Sequence, residues 1–358
     1  MRRRLLGLGL LGAVACGSPP PAAYVSESGQ AQASRVKGDP LGAARHYERA
    51  AALADKPRDA EEARYRAADA YAEGGDAARA EALYRGLAAQ GEGAERRARA
   101  DFALADLFET TGREAEAQTE RDQAIRKNPD FGVARDALSR RIAYLEAHGG
   151  PTRVLAYLDD LGRALSTSEL GEAIAYQRAR ELDNAGQTAQ ARDAYLACAA
   201  AYPYPGGAYW DDALFRAAEK ELTLGAPDRA LAHLQRMLAR QESASFVGSY
   251  QRGRYAEAQL KIAEIYRDVL HDAARARAEL RKVWQNHPTS RLVDDALFQE
   301  ALLARTAGDQ PGTCAPLSII VQQLPDSRYA PCAHLLCSEL AESPRACHDY
   351  IKRAAGLP

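Results

Sequence analysis

Small and large apolar residues return along the chain at fixed distances from a series of glycines. The glycines are Gly38, Gly75, Gly112, Gly149 and Gly186, each 37 residues after the one before. Seven positions ahead of them stand Ala31, Ala68, Ala105 and Ala179, and four ahead stand Tyr71, Phe108, Leu145 and Leu182. Five positions beyond come Ala43, Ala80, Ala117 and Ala191, then nine beyond Tyr47, Tyr84, Leu158 and Tyr195. Apolar residues three and four apart on both sides of a glycine predict one helix ending and a second beginning. Alanine lets the two backbones approach closely where they cross, and the larger residues fill the space toward the next hairpin. Prolines Pro129, Pro203, Pro288 and Pro325 close units, because proline cannot continue a helix.

The register runs almost to the C-terminus. Ala63, Ala100, Ala137, Ala213, Ala258, Ala296 and Ala333 recur at the third position of the first helix, here helix A. Departures are local. Gly225 comes 39 residues after Gly186, Leu270-His271-Asp272 replaces the next glycine turn, Thr313 weakens a small site, and Arg121 occupies a large-residue site. Ser243 to Gly253 is polar and glycine-containing, which predicts a hinge over 243–254.

This pattern resembles the tetratricopeptide repeat, whose usual length is about 34 residues. The resemblance covers residues 25–358 and implies an all-α, right-handed α-solenoid of about eight helical hairpins. Two stretches are expected, 25–242 and 255–358, on either side of the hinge. Trp210 to Phe215 and His287 to Leu292 are locally similar to repeats of periplasmic lipoproteins in β-barrel assembly and of the Tol-Pal-associated protein. In this family helix A lines a concave groove. Transferring that register puts Tyr65, Phe102, Tyr176, Phe215 and Phe298 at its fifth position, with Asp69, Asp106 and Glu219 one turn later. An aromatic ladder flanked by acids suits a protein or peptide partner with apolar and basic side chains. The same stripe can equally be packing between neighbouring A helices. The family's basic clamp for a terminal carboxylate is not reproduced, since acids hold most of the matching places.

Composition narrows the function. A formal net charge of -2 gives no global field for nucleic acid. The sequence holds no Gly-x-Ser-x-Gly elbow, no phosphate loop and no His-Glu-x-x-His, so no enzyme, cofactor, metal site or small-molecule substrate is expected. Acid pairs such as Glu61-Glu62, Asp159-Asp160 and Asp294-Asp295 read as structural charges near helix starts.

The two ends carry the remaining signals. Arg2, Arg3 and Arg4 precede an apolar run from Leu5 to Ala15, too short at about 16 Å to span a bilayer as a helix. Ala13-Val14-Ala15-Cys16 resembles the bacterial lipobox, which implies a signal peptide over 1–15, acylation (palmitate) of Cys16, and a proline-rich tether over 16–24. A lipid-anchored protein at the outer membrane, facing the periplasm, is expected. Cys314, Cys332, Cys337 and Cys347 are clustered, and in an oxidising compartment they predict two disulfides. With helices from about Ser327 to Glu342 and from Pro344 to Ala355, Cys337–Cys347 with Cys314–Cys332 is preferred among three pairings. Cys198 reads as a free buried thiol. The expected function is a cell-envelope protein-interaction scaffold or adaptor; the alternative is an assembly or pilot factor of an outer-membrane machine for barrel assembly, pili or secretion.

Overall fold

A computed structural model describes residues 19–240, 242–244, 248–250 and 253–357. Residues 1–15, expected to be a signal peptide, and Cys16 lie outside the described residues. The chain divides into two compact units, Met1–Tyr144 and Leu145–Pro358. Each is an all-α stack of consecutive helical hairpins.

The first unit contains α1 (Ala22–Val36), α2 (Pro40–Leu53), α3 (Pro57–Glu73), α4 (Ala77–Gln90), α5 (Ala94–Thr110), α6 (Glu114–Lys127) and the start of α7 (Val133–Leu165). The rest of α7 opens the second unit. It continues with α8 (Gly171–Asn184), α9 (Thr188–Ala201), α10 (Trp210–Thr223), α11 (Pro227–Leu238), α12 (Tyr255–Glu264), α13 (Ala273–Asn286), α14 (Val293–Thr306) and α15 (Gln310–Gln323), before two short helices, α16 (Ala333–Leu336) and α17 (Asp349–Ala354). At 243–254 the chain forms a short antiparallel pair, Glu242–Ala244 with Gly248–Tyr250, in which Ser243 faces Ser249.

The alanine register explains the packing. Ala31, Ala43, Ala68, Ala80, Ala105, Ala117, Ala179 and Ala191 are all at most 1 % exposed. The large residues at the partner sites, from Tyr47 and Tyr71 to Leu182 and Tyr195, are buried against them. A methylene added at such an alanine would overpack the crossing, at about 1–3 kcal/mol.

The glycine turns are built in two halves. Gly38 and Gly75 take φ of 77° and 81°, the left-handed conformation that ends helix A. The following Asp39 and Asp76 then cap helix B, accepting from Gly42 N at 2.8 Å and Arg79 N at 3.2 Å. Asp272 and Asp309 repeat the cap on Arg275 N and Gly312 N, each at 2.9 Å. Gly149 is a correction to the sequence register: the left-handed residue is Gly150, at φ 64°, and it sits inside α7 just before Pro151. The unglycinated turn is also distinctive. A π-helical turn at Ile265–Val269 absorbs an added residue, with Leu270 N donating to Ile265 O, and His271 takes the left-handed place at φ 52°.

Successive hairpins are tied by acids on helix A. Buried Glu172 accepts the backbone N–H groups of Ala208 and Tyr209 at 2.9 and 2.7 Å. Buried Glu61 accepts from Glu92 N at 2.5 Å and from Arg96. Asp294 accepts from Ser327 Oγ at 2.8 Å, while its neighbour Asp295 holds Arg328 and Tyr329 of the same following segment. In the pairs Glu61-Glu62 and Asp294-Asp295 both members thus tie to the following hairpin, Glu62 through Arg99 of α5, whereas in Asp159-Asp160 it is Asp159 that reaches the next helix, at Arg178, and Asp160 pairs with Arg163 on its own helix.

The C-terminal cap departs from the expected geometry. In place of two long helices the chain makes a 3-10 turn at Ala330–Cys332, the single-turn α16, irregular chain from Cys337, and α17. The preferred pairing is corrected accordingly: Cys314 bonds Cys337 and Cys332 bonds Cys347. The reason is that helix stops at Cys337, which turns extended at φ -135° and ψ 101°, so it meets α15 instead of lying across a helical turn from Cys347. Loops of 23 and 15 residues closed this way constrain the unfolded chain by roughly 3 kcal/mol each. Cys198 on α9 is free and buried, and burial pushes its thiol up to about 12.

Replacing His271 with glycine should relieve the left-handed strain and stabilise the second unit by about 1 kcal/mol. Equilibrium denaturation of His271→Gly and the parent checks this. An unchanged or lower midpoint would mean that contacts of the imidazole outweigh the strain.

Candidate functional groove

In the first unit, side chains from α3, α5 and the start of α7 converge on a concavity of about 350 Å³. Four residues expected in a groove meet there: Tyr65, Asp69, Phe102 and Asp106. The helical register explains why. Positions 65 and 69 lie one turn apart on α3, 102 and 106 one turn apart on α5, and consecutive A helices stack side by side.

Its electrostatics differ from an open acidic ladder. Arg99 lies over the Tyr65 ring at 4.2 Å and reaches Glu62 at 3.2 Å. Tyr84 of α4 packs edge-on to Tyr65, with centroids 5.6 Å apart, and donates its hydroxyl to Asp69 at 2.5 Å. Asp106 accepts from Arg140 at 2.6 Å and from Arg121 at 3.1 Å. Arg121 is 1 % exposed and also donates to Glu109 at 2.6 Å. Two carboxylates thus meet the buried guanidinium, which makes an arginine tolerable at a site where other hairpins place tyrosine or leucine. Burial holds the Asp69 carboxyl above its ordinary value, against the Tyr84 hydrogen bond that lowers it, and burial likewise raises the Tyr84 hydroxyl.

The groove's unsatisfied chemistry is small. At its α7 edge Val133 is 39 % exposed, and the exposed Asp136 has no hydrogen bond or ion pair among the described residues. Phe102 lines the concavity but is buried.

The aromatic positions of the second unit are packed between neighbouring hairpins. Tyr176 stacks on Tyr209 at 4.5 Å and donates to Asp212; Phe298 stacks on Tyr329 at 4.1 Å. Phe215 lies under Arg254, 5.1 Å from its centroid, and all three aromatics are buried. Glu219 pairs with Arg216 at 3.5 Å. The fifth position of helix A therefore stacks on the next hairpin, and Tyr65 beneath Arg99 follows the same rule.

Arg99 and Arg140 were not singled out by sequence reasoning, Tyr84 only as a large packing residue, and Arg121 only as a departure. The available signal was that arginine, since a charge in a buried register requires acids beside it.

Residues 257–290, which take in most of α12 and all of α13, match the family model of the tetratricopeptide repeat. No curated protein matches the chain. Among solved structures it is similar to the C-terminal part of a TPR repeat-containing protein from Cytophaga hutchinsonii, at 12% identity and a TM-score of 0.43, over 75% of this chain and 98% of that one. It is similar to a tetratricopeptide repeat protein from Parabacteroides merdae at 13% identity and 0.32, over 77% and 98%. Its likeness to pilF of Pseudomonas aeruginosa is 14% identity and 0.38, over 68% and 95%.

Asp69 supplies a pH test of the groove. Its folded pKa is raised above 3.8, so the folded protein takes up this proton at a higher pH than the unfolded chain does. The Asp69 contribution therefore improves as pH falls through the raised pKa toward 3.8, and is least favourable above it. Asp69→Asn keeps an acceptor for Tyr84 and should be more stable than the parent at pH 7, with the difference shrinking on acidification. Urea midpoints that run parallel from pH 7 to 4 would contradict the assigned burial.

Proposed function

We propose that this tetratricopeptide-repeat protein is a lipid-anchored scaffold of the bacterial cell envelope that recruits a protein partner through the groove of its first unit. One observation carries the groove assignment: aromatic side chains, an exposed valine and an unpaired carboxylate converge in one concavity. Most of the surrounding charges are paired with each other, so recognition falls to shape and to the few free groups. A tetratricopeptide repeat itself suits protein recognition. No helix among the described residues is long and apolar enough to cross a membrane. Attachment through Cys16 rests on the basic start, the short apolar run and the lipobox-like stretch.

Mass spectrometry of the protein isolated from membranes should find a mature N-terminus at Cys16 carrying acyl chains. An unmodified N-terminus elsewhere would remove the anchor. Capture from envelope extract should recover a protein partner whose binding weakens by about 1–3 kcal/mol in Tyr65→Ala, with a smaller loss in Asp136→Asn. Melting curves run in parallel separate binding from packing. Unchanged affinity for both variants would dismiss the groove, and recovery of an outer-membrane assembly component would favour the pilot-factor alternative.

A further inference from the structure

The disulfide cap of the second unit holds a further set of ligand atoms. Cys314 lies on α15, Cys337 directly follows α16, and Glu339 stands two residues later in irregular chain. Both sulfurs and a Glu339 carboxylate oxygen lie within 4.8 Å of one another. The cysteines are buried, whereas Glu339 is exposed and has no hydrogen bond or ion pair among the described residues. Its carboxylate is free to move toward the sulfurs without breaking another contact.

In the disulfide the sulfurs are bonded to each other and carry no charge, so they are poor ligands for a metal. Reduction changes both properties. A trialkylphosphine and one water convert the disulfide into two thiols and the phosphine into its oxide. Binding a divalent cation then displaces one proton from each thiol and forms two metal–sulfur bonds. Metal–sulfur and metal–oxygen distances of about 2.3 and 2.0 Å in a tetrahedral site put sulfur atoms roughly 3.8 Å apart and sulfur and oxygen roughly 3.5 Å apart. Once the S–S bond is open the thiolates can move apart to that spacing, and the carboxylate must close by about 1 Å, movements within reach of χ rotations and an irregular segment. The Cα atoms of Cys314 and Cys337, 5.3 Å apart, need not separate widely.

We propose that the reduced cap binds a soft divalent cation of the zinc class through the thiolates of Cys314 and Cys337 and the carboxylate of Glu339, with a fourth position left to water. Disulfide and metal are alternative states of the same sulfurs, which makes the site redox-gated. The competing thiols are poorly placed. Cys332 and Cys347 have no third ligand grouped with them among the described residues, and Cys198 is buried in a different core. His334 and His348, the imidazoles nearest in sequence, do not belong to the cluster.

The test titrates Co²⁺ into the full chain, reduced with a trialkylphosphine and desalted under argon, with circular dichroism recorded throughout. One Co²⁺ per chain should bind with a thiolate-to-cobalt charge-transfer band, be displaced by Zn²⁺, and fail to bind the oxidised chain. Cys332→Ser/Cys347→Ser should retain the band and Cys314→Ser/Cys337→Ser should lose it. Glu339→Gln should weaken binding by about tenfold or more, at least what loss of an outer-shell partner costs. If reduction lowers the melting temperature, Zn²⁺ should restore it in the parent and in Cys332→Ser/Cys347→Ser. The proposal is overturned by absence of the band in the reduced chain, by its persistence without Cys314 and Cys337, by equal affinity in Glu339→Gln, or by a reduced cap that Zn²⁺ does not restabilise.

Discussion

The whole architecture depends on contact between alanines with no spare room. At Ala43, Ala68, Ala80, Ala117 and Ala191 a methyl group is the largest side chain the helix crossing admits. That close approach fixes where each helix must end, so glycine and aspartate can divide the turn between them. It also fixes which large residue faces the following hairpin. Because no hairpin can bury both faces alone, each relies on its successor, and the chain solves the same packing problem repeatedly.

Polar ties follow from this dependence. An acid near the start of one A helix faces the loop entering the next, where backbone N–H groups lack helical partners. Glu61 and Glu172 supply those partners from within the core. Groove-side charges pair across the same joints, as Asp106 does with Arg140 and Asp212 with Arg254 at 2.6 Å. The groove is consequently a surface whose charges are committed to the scaffold, and recognition falls to the minority that are not.

Much of this was legible in the sequence. The small and large sites and most of the turn glycines are local patterns with a short-range cause, and the structure places them as their spacing predicts. Gly149 and Gly150 could not be separated, because adjacent glycines are equally free to adopt positive φ and only the length of α7 decides between them. The cap pairing was not legible either. It depends on whether helix continues past Leu336, and the sequence between Cys337 and Cys347 contains enough helix formers to suggest that it does. The helical register places Asp69 and Asp106 one turn beyond their aromatics, yet the pairing of Asp106 with Arg140, 34 residues away, is a tertiary fact.

Burial of Cys198 has a consequence for how the chain acquires its covalent bonds. Five cysteines lie beyond Cys16, and two bonds among five thiols can be drawn in fifteen ways, five choices of the odd thiol times three pairings of the rest. Native burial removes one thiol from exchange, since a buried sulfur neither ionises readily nor meets an oxidant. Only three arrangements then remain. Core formation around α9 thus acts as an editing step for chemistry at the distant end of the unit. Oxidation that outruns folding would lose this filter, and its products would be covalent misfolds that the sequence alone cannot reverse.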